Sequence, residues 1–210
     1  MTKIGFAELT AVLSERGRDK RHVTAVAGAP ASGKSTLAEA LGEALNAQDP
    51  GSAAVFPMDG FHYDDAILHA RGWRSRKGAP HTYDVAGFRE MLQRLRRSDE
   101  DVAVPVFDRA IETSRNAARI IPASVRHLIV EGNYLLLNAP GWRDLGPCFD
   151  TTVFLEVPLA ELERRLRARW SNLSRAESLE KISGNDLPNA EQVANSSLPA
   201  EFVVQNIGGL

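Results

Sequence analysis

Apolar residues fall along this chain in two alternating rhythms. Short, nearly unbroken runs occur at Val23-Thr24-Ala25-Val26-Ala27, Ala53-Ala54-Val55-Phe56, Leu128-Ile129-Val130 and Thr151-Thr152-Val153-Phe154-Leu155. Their length and β-branched content predict buried strands. Between them, apolar side chains recur at helical spacing: Leu37, Leu41 and Leu45; then Val85, Phe88, Met91, Leu92 and Leu95; then Leu159, Leu162 and Leu166. Phe6, Leu9, Val12 and Leu13 predict an earlier helix that stops at Gly17. Weaker helical segments around 175–182 and 189–197, and a last strand at Glu201-Phe202-Val203-Val204-Gln205, complete the pattern. Strands alternating with helices predict an α/β fold, a parallel sheet with helices on both faces.

Two stretches break the rhythm. From Phe61 to Tyr83 the chain is polar, aromatic and basic, punctuated by Gly72, Gly78 and Pro80, and it predicts a long irregular functional loop. The run Val102-Ala103-Val104-Pro105-Val106-Phe107 predicts a strand that Pro105 confines to an edge. Asp84, just before Val85, is placed to cap the helix that follows.

Composition narrows the class. At 210 residues one domain, 1–210, is the expectation. Apolar residues at 43%, charged residues at 25% and a net charge of −2 predict no nucleic-acid or membrane partner. No apolar run approaches the ~20 residues of a membrane span. The single cysteine, Cys148, excludes an internal disulfide and fits a cytoplasmic protein. None of the five histidines has the paired spacing of a zinc site.

The strongest chemical signal is Gly28-Ala29-Pro30-Ala31-Ser32-Gly33-Lys34-Ser35-Thr36, which fits G-x-x-x-x-G-K-[ST] without a mismatch. It lies between a predicted strand and a predicted helix, the context in which backbone N–H groups cradle phosphates. Lys34 would reach the outer phosphates and the Ser35 hydroxyl would hold a magnesium ion.

In parallel sheets ligands bind beyond the carboxyl ends of the strands, so strand-end acids become candidates. Asp59, in Pro57-Met58-Asp59-Gly60-Phe61-His62, is placed to orient an acceptor hydroxyl and take its proton; a turn aspartate is the plainer alternative. Glu131 ends an apolar run, where a carboxylate needs a cation, either magnesium or a neighbouring arginine. Asp108 ends the proline-containing strand. The helix bearing Arg164, Arg165, Arg167 and Arg169 is either an amphipathic surface helix or a lid, about 158–190, that swings arginines onto a transferring phosphate.

Together these segments resemble the uridine kinase, phosphoribulokinase and pantothenate kinase group of P-loop kinases. The likeness runs from the first core strand to the arginine helix. Asp59-Gly60-Phe61 matches the group's Asp-x-Phe element, Leu128-Ile129-Val130-Glu131-Gly132 its hydrophobic-Glu-Gly segment, and Pro105-Val106-Phe107-Asp108 is similar to its Pro-x-Tyr-Asp segment. The stretch Leu68-His69-Ala70-Arg71-Gly72, with Arg76-Lys77-Gly78 and Thr82-Tyr83-Asp84, is similar to the pantothenate kinase form of the loop. Arg167-Ala168-Arg169-Trp170 departs from the lid of uridine kinases. The element Gly184-Asn185-Asp186-Leu187-Pro188-Asn189-Ala190 resembles instead a subgroup of bacterial proteins labelled fructose transport system kinases.

The resemblance implies a three-layer P-loop NTPase fold and an ATP- and Mg2+-dependent kinase acting on a hydroxyl of a small metabolite, a fructose-type sugar or a nucleoside. In it Asp59 is the base, Lys34 with Arg165 and Arg169 steadies the phosphates, and Ser35 and Glu131 serve the metal. Phe61, His62, Lys77, Tyr83, Asp108 and Arg109 form the acceptor pocket. The competing class is a nucleotide-binding switch or regulatory protein without turnover. The chain has no Asn-Lys-x-Asp for guanine, and its D-x-x-G match at Asp84-Val85-Ala86-Gly87 opens a helix instead of ending a strand.

Overall fold

The structure, a computed structural model, describes residues 1–206. The chain runs β1 (Thr2–Lys3), α1 (Phe6–Arg16), β2 (His22–Gly28), α2 (Lys34–Gln48), β3 (Ala53–Pro57), α3 (Asp65–Ala70) and α4 (Val85–Arg97). It continues through β4 (Val102–Asp108), β5 (Thr113–Ile121), β6 (His127–Gly132), β7 (Thr151–Glu156), α5 (Leu159–Arg169), α6 (Arg175–Lys181), α7 (Leu187–Ser196) and β8 (Phe202–Gln205). Six strands form one sheet in the order β1-β8-β7-β2-β6-β3, and every neighbouring pair is parallel. No helix among the described residues is long and apolar enough to cross a membrane.

Side-chain alternation along the strands divides the interior into two cores. On β2, Val23, Ala25 and Ala27 face one side, and Val26 faces the other. On β6, Leu128 and Val130 share the side of Val23, while Ile129 joins Val26. The first side is covered by Phe88, Leu92 and Leu95 of α4, Leu162 of α5 and Val193 of α7. The second is covered by Leu9 and Leu13 of α1 and Leu37, Leu41 and Leu45 of α2. Buried strands with helices on both faces give three layers, as the alternating pattern predicts.

Register places the chemistry. Because the strands are parallel, their carboxyl ends share one edge. Val26 of β2, Glu131 of β6 and Pro57 of β3 lie in one row across it. The phosphate-type loop leaves β2 two residues further on, and Asp59 follows Pro57 by the same step. By period-two alternation Glu131 points to the face of Ile129, the α2 side, where Ser35 begins the helix.

Three expectations need correcting. The strand ending in Asp108 is not in the main sheet: β4 pairs antiparallel with β5 in a separate two-stranded hairpin, with a bulge between Val104 and Val106 beside Pro105. Strand β5 itself went unpredicted, because its residues Arg115 to Ile120 are exposed and carry no apolar alternation. The stretch from Phe61 to Tyr83 is not structureless. It holds α3, which Asp64 caps by accepting from the Ala66 N–H, and 3-10 turns at Arg74–Arg76 and Pro80–Thr82.

The hairpin docks tightly on the turn after β3. A Cβ at Gly60 would stand 2.6 Å from the Pro105 carbonyl oxygen, and Ser114 Oγ donates to the Gly60 carbonyl. Only glycine lets the two backbones approach so closely. Gly60→Ala is expected to cost about 1–3 kcal/mol by forcing them apart. Denaturant unfolding with an unshifted midpoint would sink this account.

Candidate active site

Between β2 and α2 the chain alternates handedness. Ala31 has φ 61° and Gly33 φ 94°, both left-handed, before Lys34 opens the helix. Such alternation turns successive N–H groups inward and makes an anion cradle at the helix N-terminus. A left-handed alanine costs on the order of 1–3 kcal/mol, the kind of strain kept at functional turns. Outside the loop, Arg165 Nη1 donates to the Ser32 carbonyl at 2.9 Å and Asn206 Nδ2 donates to the same oxygen at 3.2 Å.

Glu131 is 4% exposed, and the Ser35 hydroxyl lies close enough to its carboxylate to lower its pKa. Burial pushes its pKa up, Lys34 opposes that, and Asp59 adds to the rise. Two hard oxygen donors, a hydroxyl and a carboxylate, thus meet at the start of α2.

Opposite the loop stands Asp59, on the 3-10 turn Met58–Phe61 that follows β3. Arg109 Nη2 donates to its Oδ2 at 2.8 Å, and the Tyr83 hydroxyl lies 3.4 Å from Oδ1. Burial alone would raise the Asp59 pKa. His62, Lys34, Arg109 and Arg169 together outweigh it and hold the carboxyl below its ordinary value. His62 Nδ1 donates to the Asp59 carbonyl at 2.8 Å. Burial pushes the His62 pKa down, and the neighbouring Asp59 carboxylate opposes that shift. Its ring lies between Tyr83, 4.0 Å between centroids, and Phe107, 4.8 Å away.

Several of these groups line one cleft of about 300 Å³. Pro30 and Lys34 supply the loop side; Asp59, His62, Lys77, Tyr83, Phe107 and Arg109 supply the opposite wall. Arg169 and Trp170 come from the end of α5, and Asn185, Asp186 and Asn189 from the segment beyond α6.

Pro30, Lys34, Asp59, His62, Lys77, Tyr83, Arg109 and Arg169 therefore converge on the cleft; Ser35 and Glu131 are not among the residues that line it, and Phe61, Asp108 and Arg165 lie elsewhere. Phe61 is a core residue, 5.9 Å from Phe56 and 5.0 Å from Phe88 between ring centroids, because the 3-10 turn points it under α4. Asp108 is engaged by its own turn, accepting from the Ala110 N–H at 3.1 Å with Arg115 at 3.3 Å. Arg165 grips the loop carbonyls and Glu161 from outside, so Arg169, one helical turn on, is the arginine of α5 that faces the cleft. Sequence reasoning did not assign Asn133, Lys181, Asn185, Asp186 or Asn189 to the site. The unusual Gly184–Ala190 element was the signal that could have found the last three.

Glu131 gives a stability test with a defined sign. Its folded pKa lies above the ordinary 4.5, so its contribution is full below that value and is lost as pH rises through the folded pKa. Glu131→Gln, compared without divalent cation, should gain on the native protein between about pH 4 and about pH 7. Unfolding midpoints that differ equally at both pH values would contradict this.

Comparison with known proteins agrees with that geometry. The family model described as "AAA domain" matches residues 25–186, from within β2 to the cleft-lining Asp186. The "Uncharacterized protein YggC" of Escherichia coli (strain K12) is 34% identical over 201 residues, 94% of this chain and 83% of that protein. The "Putative uridine kinase C227.14" of Schizosaccharomyces pombe is 31% identical over 198 residues, 90% and 84% of the two chains. Among solved structures, a "putative fructose transport system kinase" from Silicibacter sp. TM1040 superposes with a TM-score of 0.88. It is 43% identical, and the match covers 95% of this chain and 98% of that one. With its phosphate loop, facing aspartate and three-layer sheet, this chain belongs to the AAA domain family, among the kinase-like P-loop proteins that bear uridine kinase and pantothenate kinase names.

Proposed function

We propose that this protein is an ATP- and Mg2+-dependent kinase that transfers the γ-phosphate to a hydroxyl of a small metabolite, a sugar or a nucleoside. The observation that carries the reading is the placement of Asp59 across one cleft from Lys34 and the phosphate cradle. Donor and acceptor groups on opposite walls are what in-line phosphoryl transfer requires.

The loop N–H groups and Lys34 would hold the triphosphate, and Arg169 would lie against the charge that spreads over the transferring group. An aspartate held below its ordinary pKa is a weak base. Asp59 would therefore act chiefly by aligning the acceptor hydroxyl, taking its proton late, as the bond to phosphorus forms. Arg109 and Tyr83 contact the two carboxylate oxygens and fix the direction of the group. His62, stacked on Tyr83 and bonded to the Asp59 carbonyl, would line the acceptor side.

Ser35 and Glu131 fit magnesium, which favours hard oxygen ligands and combines one or two protein groups with substrate phosphates. No cluster of three or more His, Cys, Asp or Glu among the described residues could form an all-protein cage, so the substrate would complete the coordination. When bound, the ion supplies charge neutralisation on the β- and γ-phosphate oxygens.

Asp59→Asn should lower acceptor-dependent ADP formation by about 10²- to 10⁴-fold while nucleotide binding persists. ADP release should be measured over a panel of sugars, nucleosides and vitamin precursors. Wild-type turnover in the variant would remove Asp59 from this role. Nucleotide binding with no acceptor-dependent turnover across the panel would favour a regulatory protein.

A further inference from the structure

Six cationic side chains line the cleft: Lys34, Arg74, Lys77, Arg109, Arg169 and Lys181. Three of them are already neutralised. Arg74 and Lys77 are paired with Asp65, each at 2.7 Å, and Arg109 with Asp59 at 2.8 Å. Lys34, Arg169 and Lys181 line the same space and form no ion pair among the described residues. Of the three carboxylates in the cleft, Asp59 faces Arg109, Asp186 accepts from Trp170 Nε1 at 2.7 Å, and Glu112 lies on the hairpin between β4 and β5.

Lys34 belongs to the phosphate loop. The other two unpaired cations come from different helices and meet at one ring. Arg169 ends α5 and Lys181 ends α6. The Arg169 guanidinium carbon lies 5.1 Å from the Trp170 ring centroid, and Lys181 Nζ lies 4.6 Å from it. Two like charges gathered at one indole repel each other, and the aromatic face offsets part of that cost. Burial raises the Asp186 pKa, and the Trp170 bond, Arg169 and Lys181 pull it back, so this carboxyl attracts both cations.

The ring itself is held from two directions. The Trp170 N–H donates to the Leu166 carbonyl at 3.1 Å, which closes the last turn of α5. After Lys181 comes a π-turn, Ile182–Asp186, a distortion found mostly at functional sites. It is bonded to the acceptor wall: Arg76 Nη1 donates to the Gly184 carbonyl at 2.6 Å, and Asn185 Nδ2 to the Lys77 carbonyl at 2.8 Å. Arg169 and Lys181 are exposed and long, yet the indole keeps both at the cleft.

We propose that Lys181 joins Arg169 in contacting the phosphate groups of the donor nucleotide, and that Trp170 is the positioning residue that holds both cations for them. The proposal rests on the donor half of the reading above, the phosphate cradle, and needs neither turnover nor a particular acceptor. A polyphosphate in the cleft would meet three unpaired cations, from α2, α5 and α6. Arginine keeps the charge and stacks on aromatic faces, so it should take over most of the role of Lys181; a neutral side chain should not.

Calorimetric titration of the full chain in Mg2+ tests this, with a non-hydrolysable ATP analogue and AMP as probes. Lys181→Met should weaken the ATP analogue about 10-fold and leave AMP within about twofold, and Lys181→Arg should restore most of the loss. Trp170→Leu should lower the same affinity ratio although no charge is removed. Trp170→Phe, which keeps an aromatic face, should lower it less. Native-like affinity of Lys181→Met for the ATP analogue would overturn the phosphate contact. Equal losses for both probes would mark Lys181 as structural and overturn it too. An unchanged ratio in Trp170→Leu would remove Trp170 from its positioning role. Lys181 is exposed, so its two variants decide the contact even where Trp170→Leu does not fold. A native protein that binds the ATP analogue no better than AMP would overturn this proposal together with the cradle reading. The predicted losses in a protein that shows no acceptor-dependent turnover would support the proposal and count against phosphoryl transfer.

Discussion

A carboxylate at the end of a fully buried strand is the constraint around which this structure is arranged. Glu131 lies between β2 and β3 in the sheet, with Val26 on one side and Pro57 on the other. Left alone, an ionised group there would cost several kcal/mol. The fold answers with geometry: the parity of β6 turns the side chain toward α2, whose first residues bring Ser35 and Lys34 to it. The same positive end of α2 makes the phosphate cradle. One arrangement therefore holds a buried acid and prepares an anion site.

Asp59 is held differently. It sits on a turn beyond the sheet, so its direction depends on elements that are distant in sequence. Tyr83 comes from the end of the acceptor loop and Arg109 from the connection between β4 and β5. The hairpin reaches this position because Gly60 and Pro105 pack backbone to backbone. The donor side is thus built locally, by strand, loop and helix in succession. The opposite wall is assembled from several separate segments, which lets its shape vary on a constant phosphate-loop frame.

That difference also explains what could be read from the sequence. The sheet, its helices and the loop around Lys34 were legible because period and motif are local signals. Glu131 and Asp59 followed from the rule that acids at parallel strand ends meet. Strand β5 was hidden because both its polarity and its exposure resemble those of a loop. Phe61 was misread because Asp59-Gly60-Phe61 looks continuous in sequence, while a 3-10 turn sends alternate residues to the cleft and to the core. Arg165 and Arg169 are separated by a single helical turn, and only the position of α5 against the loop decides which grips a carbonyl and which faces the cleft.

The segment from α5 to α7 joins the two sides. Arg165 binds the outside of the phosphate loop, and Arg169 enters the cleft beside it. Further along, the π-turn is bonded to Arg76 and Lys77 on the acceptor wall. One run of helix is therefore attached to the donor loop near its start and to the acceptor loop near its end. Trp170 and Asp186, midway along it, bond to each other. The double attachment ties this run of helix to both walls of the cleft, so the position of Arg169, Trp170 and Asp186 is set by the phosphate loop and by the Phe61–Tyr83 stretch together.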